Sequence, residues 1–186
     1  MRAPKHWTSV GDLLSLSPML TPALDRDLPD IVALVNASYR GESSRQGWTT
    51  EADYIDGART DLETLRADLA ANPDAGLFVL RDQPAGELLG CVWLEPQADG
   101  VWYLGLLTVR PDRQDRRLGR QVLAEAEAMI KAAGGARVRM TVVHLRDTLI
   151  AWYQRRGYAL TGERLPFPYG DPPRTDLSFV VLEKPV

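Results

Sequence analysis

One cysteine, Cys91, and two histidines, His6 and His144, are all the thiol and imidazole ligands this chain of 186 residues offers a metal. No group of them has zinc-ligand spacing, so no metal is expected. A single cysteine excludes an internal disulfide and fits a reducing compartment, so a cytoplasmic location is expected. Cys91 falls in an apolar strand pattern and reads as a core residue, not a nucleophile. Long apolar runs are missing: none approaches the roughly 18 residues of a transmembrane helix, so no membrane partner is expected. Residues 1–18 have a basic start but neither a long apolar core nor a clear cleavage site, and read as an N-terminal extension. No charge is in large excess: 22 Lys and Arg against 25 Asp and Glu leave a net charge of −3, which argues against a nucleic-acid partner. No G-x-x-x-x-G-K-[ST] occurs, no G-x-G-x-x-G follows a strand, and no G-x-S-x-G elbow is found. These absences disfavour a P-loop NTPase, a dinucleotide fold and a serine hydrolase.

What is present fits one domain over residues 19–186, with 45% hydrophobic and 25% charged residues. Leu20–Leu24 predicts a strand. A helix capped by Asp25 or Asp27 follows, with Pro29 in its first turn and Ile31, Leu34, Val35 and Ser38 on one packed face. Tyr39–Thr60 lacks clean periodicity and reads as a functional loop, with a short helix from Thr50. Leu62, Leu65 and Leu69 mark a second helix. Gly76–Arg81, Leu88–Glu95 and Val101–Val109 predict an antiparallel meander. A helix over Leu118–Ala133 stops at Gly134-Gly135. A strand over Arg137–Val143, a helix over Arg146–Arg156, and strands over Tyr158–Gly162 and Leu177–Glu183 complete the chain. The expected fold class is α/β (α+β): a mixed, mostly antiparallel sheet of six to seven strands with one parallel crossover.

The most informative stretch is Val101 to Arg120, VWYLGLLTVRPDRQDRRLGR. An apolar strand ends at Pro111, which has no N–H for a sheet ladder. A polar, arginine-rich loop from Asp112 to Arg117 then leads into a helix. A helix N-terminus leaves about four N–H groups without partners and carries roughly half a positive charge. Aimed at a strand end, it makes a site for phosphate or pyrophosphate. The competing reading is a solvated basic loop before a surface helix.

The wording Val109-x-Pro111-x-x-Gln114-x-x-Arg117-x-Gly119 resembles the acetyl-CoA signature of the GNAT N-acetyltransferase family, Q/R-x-x-G-x-G/A. Gln114 and Gly119 match. Arg117 stands at the first glycine, and Asp115 often has a glycine counterpart. A residue with a Cβ resists unusual backbone angles, so the loop takes either a more ordinary conformation or a different grip. About 35 residues on, Leu149 to Tyr158 resembles the family's A-x-x-x-Y-x-x-x-G-F/Y helix end. Tyr153, Gly157 and Tyr158 match, Leu149 replaces the alanine, and Arg146 falls at the usual asparagine.

The resemblance implies helices on both faces of a sheet splayed between its fourth and fifth strands, with the pantetheine arm of acetyl-CoA in the gap. Gly105 would ease a bulge in the fourth strand, where the backbone of Leu107, Thr108 and Val109 meets the arm. Amides from Gln114, Asp115, Arg116, Arg117, Leu118, Gly119 and Arg120 would hold the pyrophosphate, and Arg146 would lie by the arm. Tyr153 would protonate the thiolate leaving group, since a phenol with a pKa of about 10 keeps its proton at neutral pH. It also reads as an aromatic packed on the helix's buried face. His144, Glu95, Glu42, Glu51 and Asp53 are candidate bases, His144 having the most suitable pKa. His144 also reads as a surface residue capping the strand end. Arg40, Glu42, Trp48, Glu51 and Tyr169 would contact the acceptor. The implied activity is acetyl transfer from acetyl-CoA to the primary amine of a small polar, amino-acid-like acceptor, by direct attack in a ternary complex, in a monomer or homodimer. The alternative is a non-catalytic acyl-CoA-binding module of the same fold.

Overall fold

The computed structural model describes residues 19–39, 57–83, 85–168 and 174–186, with only the main chain at 114–116. Seven strands form one sheet in the order β1-β2-β3-β4-β5-β7-β6. They are β1 (Leu20–Pro22), β2 (Gly76–Arg81), β3 (Leu88–Pro96), β4 (Val101–Val109), β5 (Arg137–Val143), β6 (Ala159–Pro166) and β7 (Ser178–Pro185). The helices are α1 (Leu28–Tyr39), α2 (Leu62–Ala71), α3 (Leu118–Ala132) and α4 (Asp147–Gln154). All pairings are antiparallel except β4 with β5, the expected crossover around α3.

Period-two alternation sorts the strand residues between two apolar layers. In β2, Phe78 and Leu80 join the layer built with Leu118, Val122, Ala126 and Ile130 of α3. Leu77 and Val79 join Ile31 and Val35 of α1 and Leu65 of α2 on the other face. Each such side chain contributes about 1.5–3 kcal/mol on burial, so the sheet is held from both sides. The packed face predicted for α1 is the buried one: Ile31, Leu34, Val35 and Ser38, with Leu28 added. Cys91 is fully buried between strands.

Two irregularities in β4 shape the molecule. The parallel pairing with β5 covers only Val101, Trp102 and Tyr103 against Arg137, Val138 and Arg139, after which the strands diverge. On its other edge, β4 pairs Thr108 with Cys91 but Gly105 with Trp93, so Leu106 and Leu107 together oppose Val92. This is a bulge. Leu106 carries its strain, with φ at 46°, while Gly105 has no positive φ. The glycine serves another purpose: a Cβ there would meet Cε1 of Tyr103 at 2.8 Å. The bulge also flips the strand's parity. Trp102 and Leu104 face the α3 layer, Leu106 faces α1, and Leu107 and Val109 return to the α3 side.

Other departures are local. The segment expected as a loop over Asp112–Arg117 is a 3-10 turn over Pro111–Arg116, ending in Arg117 with φ 63°. The left-handed conformation costs a non-glycine residue about 1–2 kcal/mol. Arg117 thus adopts the backbone angle that suits a glycine, and the more ordinary conformation is not the one found. The strand expected at Tyr158–Gly162 runs instead over Ala159–Pro166. It continues past Gly162, at φ 85°, through a register shift against β7. The extension, Glu163 to Pro166, is exposed apart from the half-buried Leu165, so no apolar alternation marked it. The short helix expected from Thr50 lies outside the described residues.

Candidate functional site

Past Tyr103, β4 has no ladder partner in β5, and backbone groups on that edge stand open to a ligand. A cavity of about 380 Å³ opens there, walled by Gly105, Leu106 and Leu107 on one side and Met140 to Val143 on the other. At its base the Tyr103 hydroxyl meets Thr141 Oγ1 at 3.2 Å, bridging the diverging strands. The last turn of α1 braces the bulged stretch. Tyr39 donates its hydroxyl proton to the Leu107 carbonyl at 2.9 Å, and Ser38 Oγ donates to the Val109 carbonyl at 3.2 Å. Thr108 Oγ1 donates to the Leu106 carbonyl at 3.0 Å. The carbonyls of the bulge are thus held by side chains.

Tyr153 reaches the cavity wall from α4. It is 5% exposed. Its ring stands edge-on to Trp152 at 5.0 Å and to Tyr158 at 5.6 Å. Its hydroxyl has no hydrogen-bond partner among the described residues. Burial pushes the phenol well above the ordinary tyrosine value, with Tyr39 adding to the rise and Arg146 opposing it. The group is therefore a protonated donor on a cavity wall. Arg146 begins α4 without capping it, is buried, and lies 5.7 Å from the Tyr39 ring centroid. Both residues line the same cavity, with Arg59, Leu149, Leu165 and Phe179.

At the outer end of β4, α3 begins at Leu118 directly after the left-handed Arg117, whose side chain makes no cap hydrogen bond. Arg120 and Gln121 donate their N–H groups to the Arg117 carbonyl at 3.0 and 3.1 Å. The N–H groups of Leu118 and Gly119 have no acceptor within the helix. Gly119 keeps the surface low: a Cβ there would lie 3.7 Å from Trp152 Cζ2 and 4.0 Å from Val109 Cγ2. An uncapped first turn beside an open strand edge suits a ligand that joins a diphosphate to an extended arm.

The sequence-derived residues separate accordingly. Leu107, Arg146 and Tyr153 line the cavity. Thr108 and Val109 continue the bulged strand, and Arg117, Leu118, Gly119 and Arg120 form the start of α3. The side chains of Gln114, Asp115 and Arg116 lie outside the described residues, as do Arg40, Glu42, Trp48, Glu51, Asp53 and Tyr169 altogether. His144 stands in the turn after β5 and does not line the cavity. Its Nδ1 accepts the Ser178 N–H at 3.2 Å, while its own N–H donates to the Ser178 carbonyl at 2.9 Å. Glu95 accepts from Trp93 Nε1 at 3.0 Å and is likewise absent from the wall. Among the described lining residues there is no carboxylate and no imidazole. Tyr39 and Tyr103 were missed from sequence. Tyr39 follows directly on the packed face of α1, a signal that could have found it.

The chain belongs to the acetyltransferase (GNAT) family, whose model matches residues 31–158. A protein called IAA acetyltransferase from Azospirillum brasilense is 30% identical over 128 residues, which are 68% of this chain and 74% of that one. A ribosomal-protein-alanine N-acetyltransferase from Brucella melitensis superposes with a TM-score of 0.66 at 17% identity, over 90% of this chain and 99% of that one. The yncA structure from Salmonella typhimurium, solved with its cofactor acetyl-CoA, superposes with a TM-score of 0.63 at 16% identity, over 91% and 94% of the two chains. No described helix is long and apolar enough to cross a membrane.

Proposed function

We propose that this protein transfers an acetyl group from acetyl-CoA to a primary amine of a small polar, amino-acid-like acceptor by direct attack in a ternary complex. The observation that carries the reading is the Tyr153 hydroxyl: buried, protonated, unbonded, and on the wall of the cavity between the diverging strands. Acetyl-CoA supplies the activated acetyl group as a thioester. The open edge of β4 would hold the arm by main-chain hydrogen bonds, from Leu107 to Val109. The first turn of α3, with the main chain from Gln114 to Arg120, would hold the pyrophosphate. The family membership and the acetyl-CoA in the yncA structure support that assignment.

Tyr153 keeps a proton on its phenol oxygen for a thiolate leaving group. Burial keeps that proton in place around neutral pH, so it is present when the thiolate departs, and the same rise in pKa makes the phenol a weaker acid. Arg146 supplies positive charge to the same cavity. An ammonium acceptor must first lose a proton, since an alkyl amine of pKa about 10.4 is less than about 0.1% neutral at pH 7. With no carboxylate or imidazole among the described lining residues, we assign that proton to water leading to Glu42, Glu51 or Asp53. His144 is held by Ser178 and takes second place. Arg40, Trp48 and Tyr169 complete the proposed acceptor contacts. The protein would act in the cytoplasm as a monomer or homodimer. The test is thiol release from acetyl-CoA across a panel of amines. Release with a subset of small amines identifies the acceptor. Tight acetyl-CoA binding without turnover on any amine would favour a non-catalytic acyl-CoA-binding module.

A further inference from the structure

The cavity between β4 and β5 is lined by two arginines, Arg59 and Arg146, with no carboxylate among the described lining residues. Arg59 precedes α2, and one side chain of α1 fixes its main chain. Asn36 Oδ1 accepts the N–H groups of Arg59 and Thr60 at 2.6 and 3.2 Å, and Asn36 Nδ2 donates to the Thr60 carbonyl at 2.8 Å. Both ends of one amide are thus spent on a single short segment, which holds Arg59 at the cavity. Arg59 is half-buried. Its anchor, α1, packs on one face of the sheet, and the α3 turn assigned to the diphosphate lies on the other. Leu165, Pro166, Pro168 and Phe179 give the same cavity an apolar stretch of wall.

We propose that Arg59 binds a carboxylate of the acceptor, which makes the acceptor an amino-carboxylate with an apolar body. The inference rests on the reading of the cavity as a transferase site. With the arm of acetyl-CoA along β4 from Leu107 to Val109, the wall left to the acceptor includes Arg59, Leu165 and Phe179. A guanidinium matches the two oxygens of a carboxylate with paired donors, and a main chain already held in place lowers the entropy lost in doing so. A second ammonium on the acceptor would instead meet the like charge of Arg59 and Arg146. The wall therefore selects against diamines and cationic polymers, while its apolar stretch accepts an aliphatic or aromatic body.

Thiol release from acetyl-CoA by the full chain tests this. Leucine, phenylalanine and 6-aminohexanoate are each compared with their carboxamides, and 1,6-diaminohexane serves as the dicationic counterpart. The carboxamide keeps the size of the carboxylate and removes its charge. Wild type should use at least one of the acids with a kcat/KM roughly ten- to a hundredfold above that of its carboxamide, the range of charge-assisted hydrogen bonds, and should use the diamine least. Arg59→Gln should bring that ratio to within about threefold of unity. Arg59→Lys, which keeps the charge but not the fork, should restore part of it. Equal use of acid and carboxamide by wild type overturns the proposal and leaves the transferase reading intact. Release only with amines that lack a carboxylate, the diamine included, does the same. A wild-type preference that survives in Arg59→Gln overturns the assignment to Arg59. Release with no amine at all sinks the transferase reading and this inference with it. The comparison on wild type needs no variant, so it stands even if Arg59→Gln fails to fold.

Discussion

Replacing Tyr153 by phenylalanine separates catalysis from packing, because the structure assigns the hydroxyl no structural partner. The ring would keep its edge contacts to Trp152 and Tyr158, and no hydrogen bond among the described residues would be lost. Stability should therefore stay within about 0.5 kcal/mol of wild type, or about 1–2 °C in Tm for a domain of this size. If the phenol protonates the leaving thiolate, kcat should fall roughly 100- to 1000-fold, the range of lost general-acid catalysis, which is about 3–4 kcal/mol of barrier. Affinity for coenzyme A should be nearly unchanged. The pH profile gives a second readout. Burial raises the phenol's pKa, so the acid form is complete below the ordinary tyrosine value and is lost only above it. No fall in rate from this group should appear until well above pH 10. The assay is steady-state thiol release at saturating acetyl-CoA and amine, paired with a thermal melt. Unchanged kcat, with chemistry shown to limit the rate, would reduce Tyr153 to a packing residue. A Tm loss of several degrees would show that the hydroxyl has a structural partner and that the rate loss is not specific.

Three further outcomes are expected. Gly119→Glu should abolish most of the melting-temperature rise given by coenzyme A, while Gly119→Ala, whose Cβ meets nothing nearer than 3.7 Å, should fold normally; full binding by Gly119→Glu would remove the pyrophosphate from this turn. Arg117→Gly should raise stability by about 1 kcal/mol, since φ 63° strains arginine and not glycine, and a lower Tm would show that the side chain has a stabilising contact. Burial pushes the Cys91 thiol from 9.0 to about 12, so its stabilising effect is complete below pH 9 and is lost as pH rises towards 12. Native protein should resist alkylation at pH 8, and rapid labelling there would show that β3 opens readily.

Much of this architecture was readable in the chain because its signals are local. β2, β4 and β5 match the predicted spans to the residue, since each is an apolar, β-branched run closed by Gly, Pro or polar residues. Tyr153 was singled out by the resemblance of its helix end to the family's motif, in which Gly157 and Tyr158 also match, and it lines the cavity. A bulge in β4 was expected at Gly105 and lies just beyond it, at Leu106 and Leu107; its exact position depends on which β3 residue faces which β4 residue. Its trace is nonetheless in the sequence: inward residues Trp102, Leu104, Leu107 and Val109 step by three where strict alternation steps by two. Tyr39 acts on Leu107 across 68 residues, and Tyr103 on Thr141 across 38, contacts that only the closed sheet brings together. β6 was cut short because an exposed edge strand buries little and needs no apolar pattern.

The central claim is acetyl transfer to an amine nitrogen by direct attack, and mass spectrometry of both product and protein tests it in one experiment. The full chain is incubated with acetyl-CoA, with and without the amines that release thiol. The account predicts an N-acetylated amine in amounts equal to the thiol released, and a protein of unmodified mass when acetyl-CoA is present alone. A chain that gains an acetyl group without amine, and passes it on when amine is added, would contradict direct attack. Saturating acetyl-CoA binding with no acetylated product from any amine would contradict the assignment of the site as a transferase.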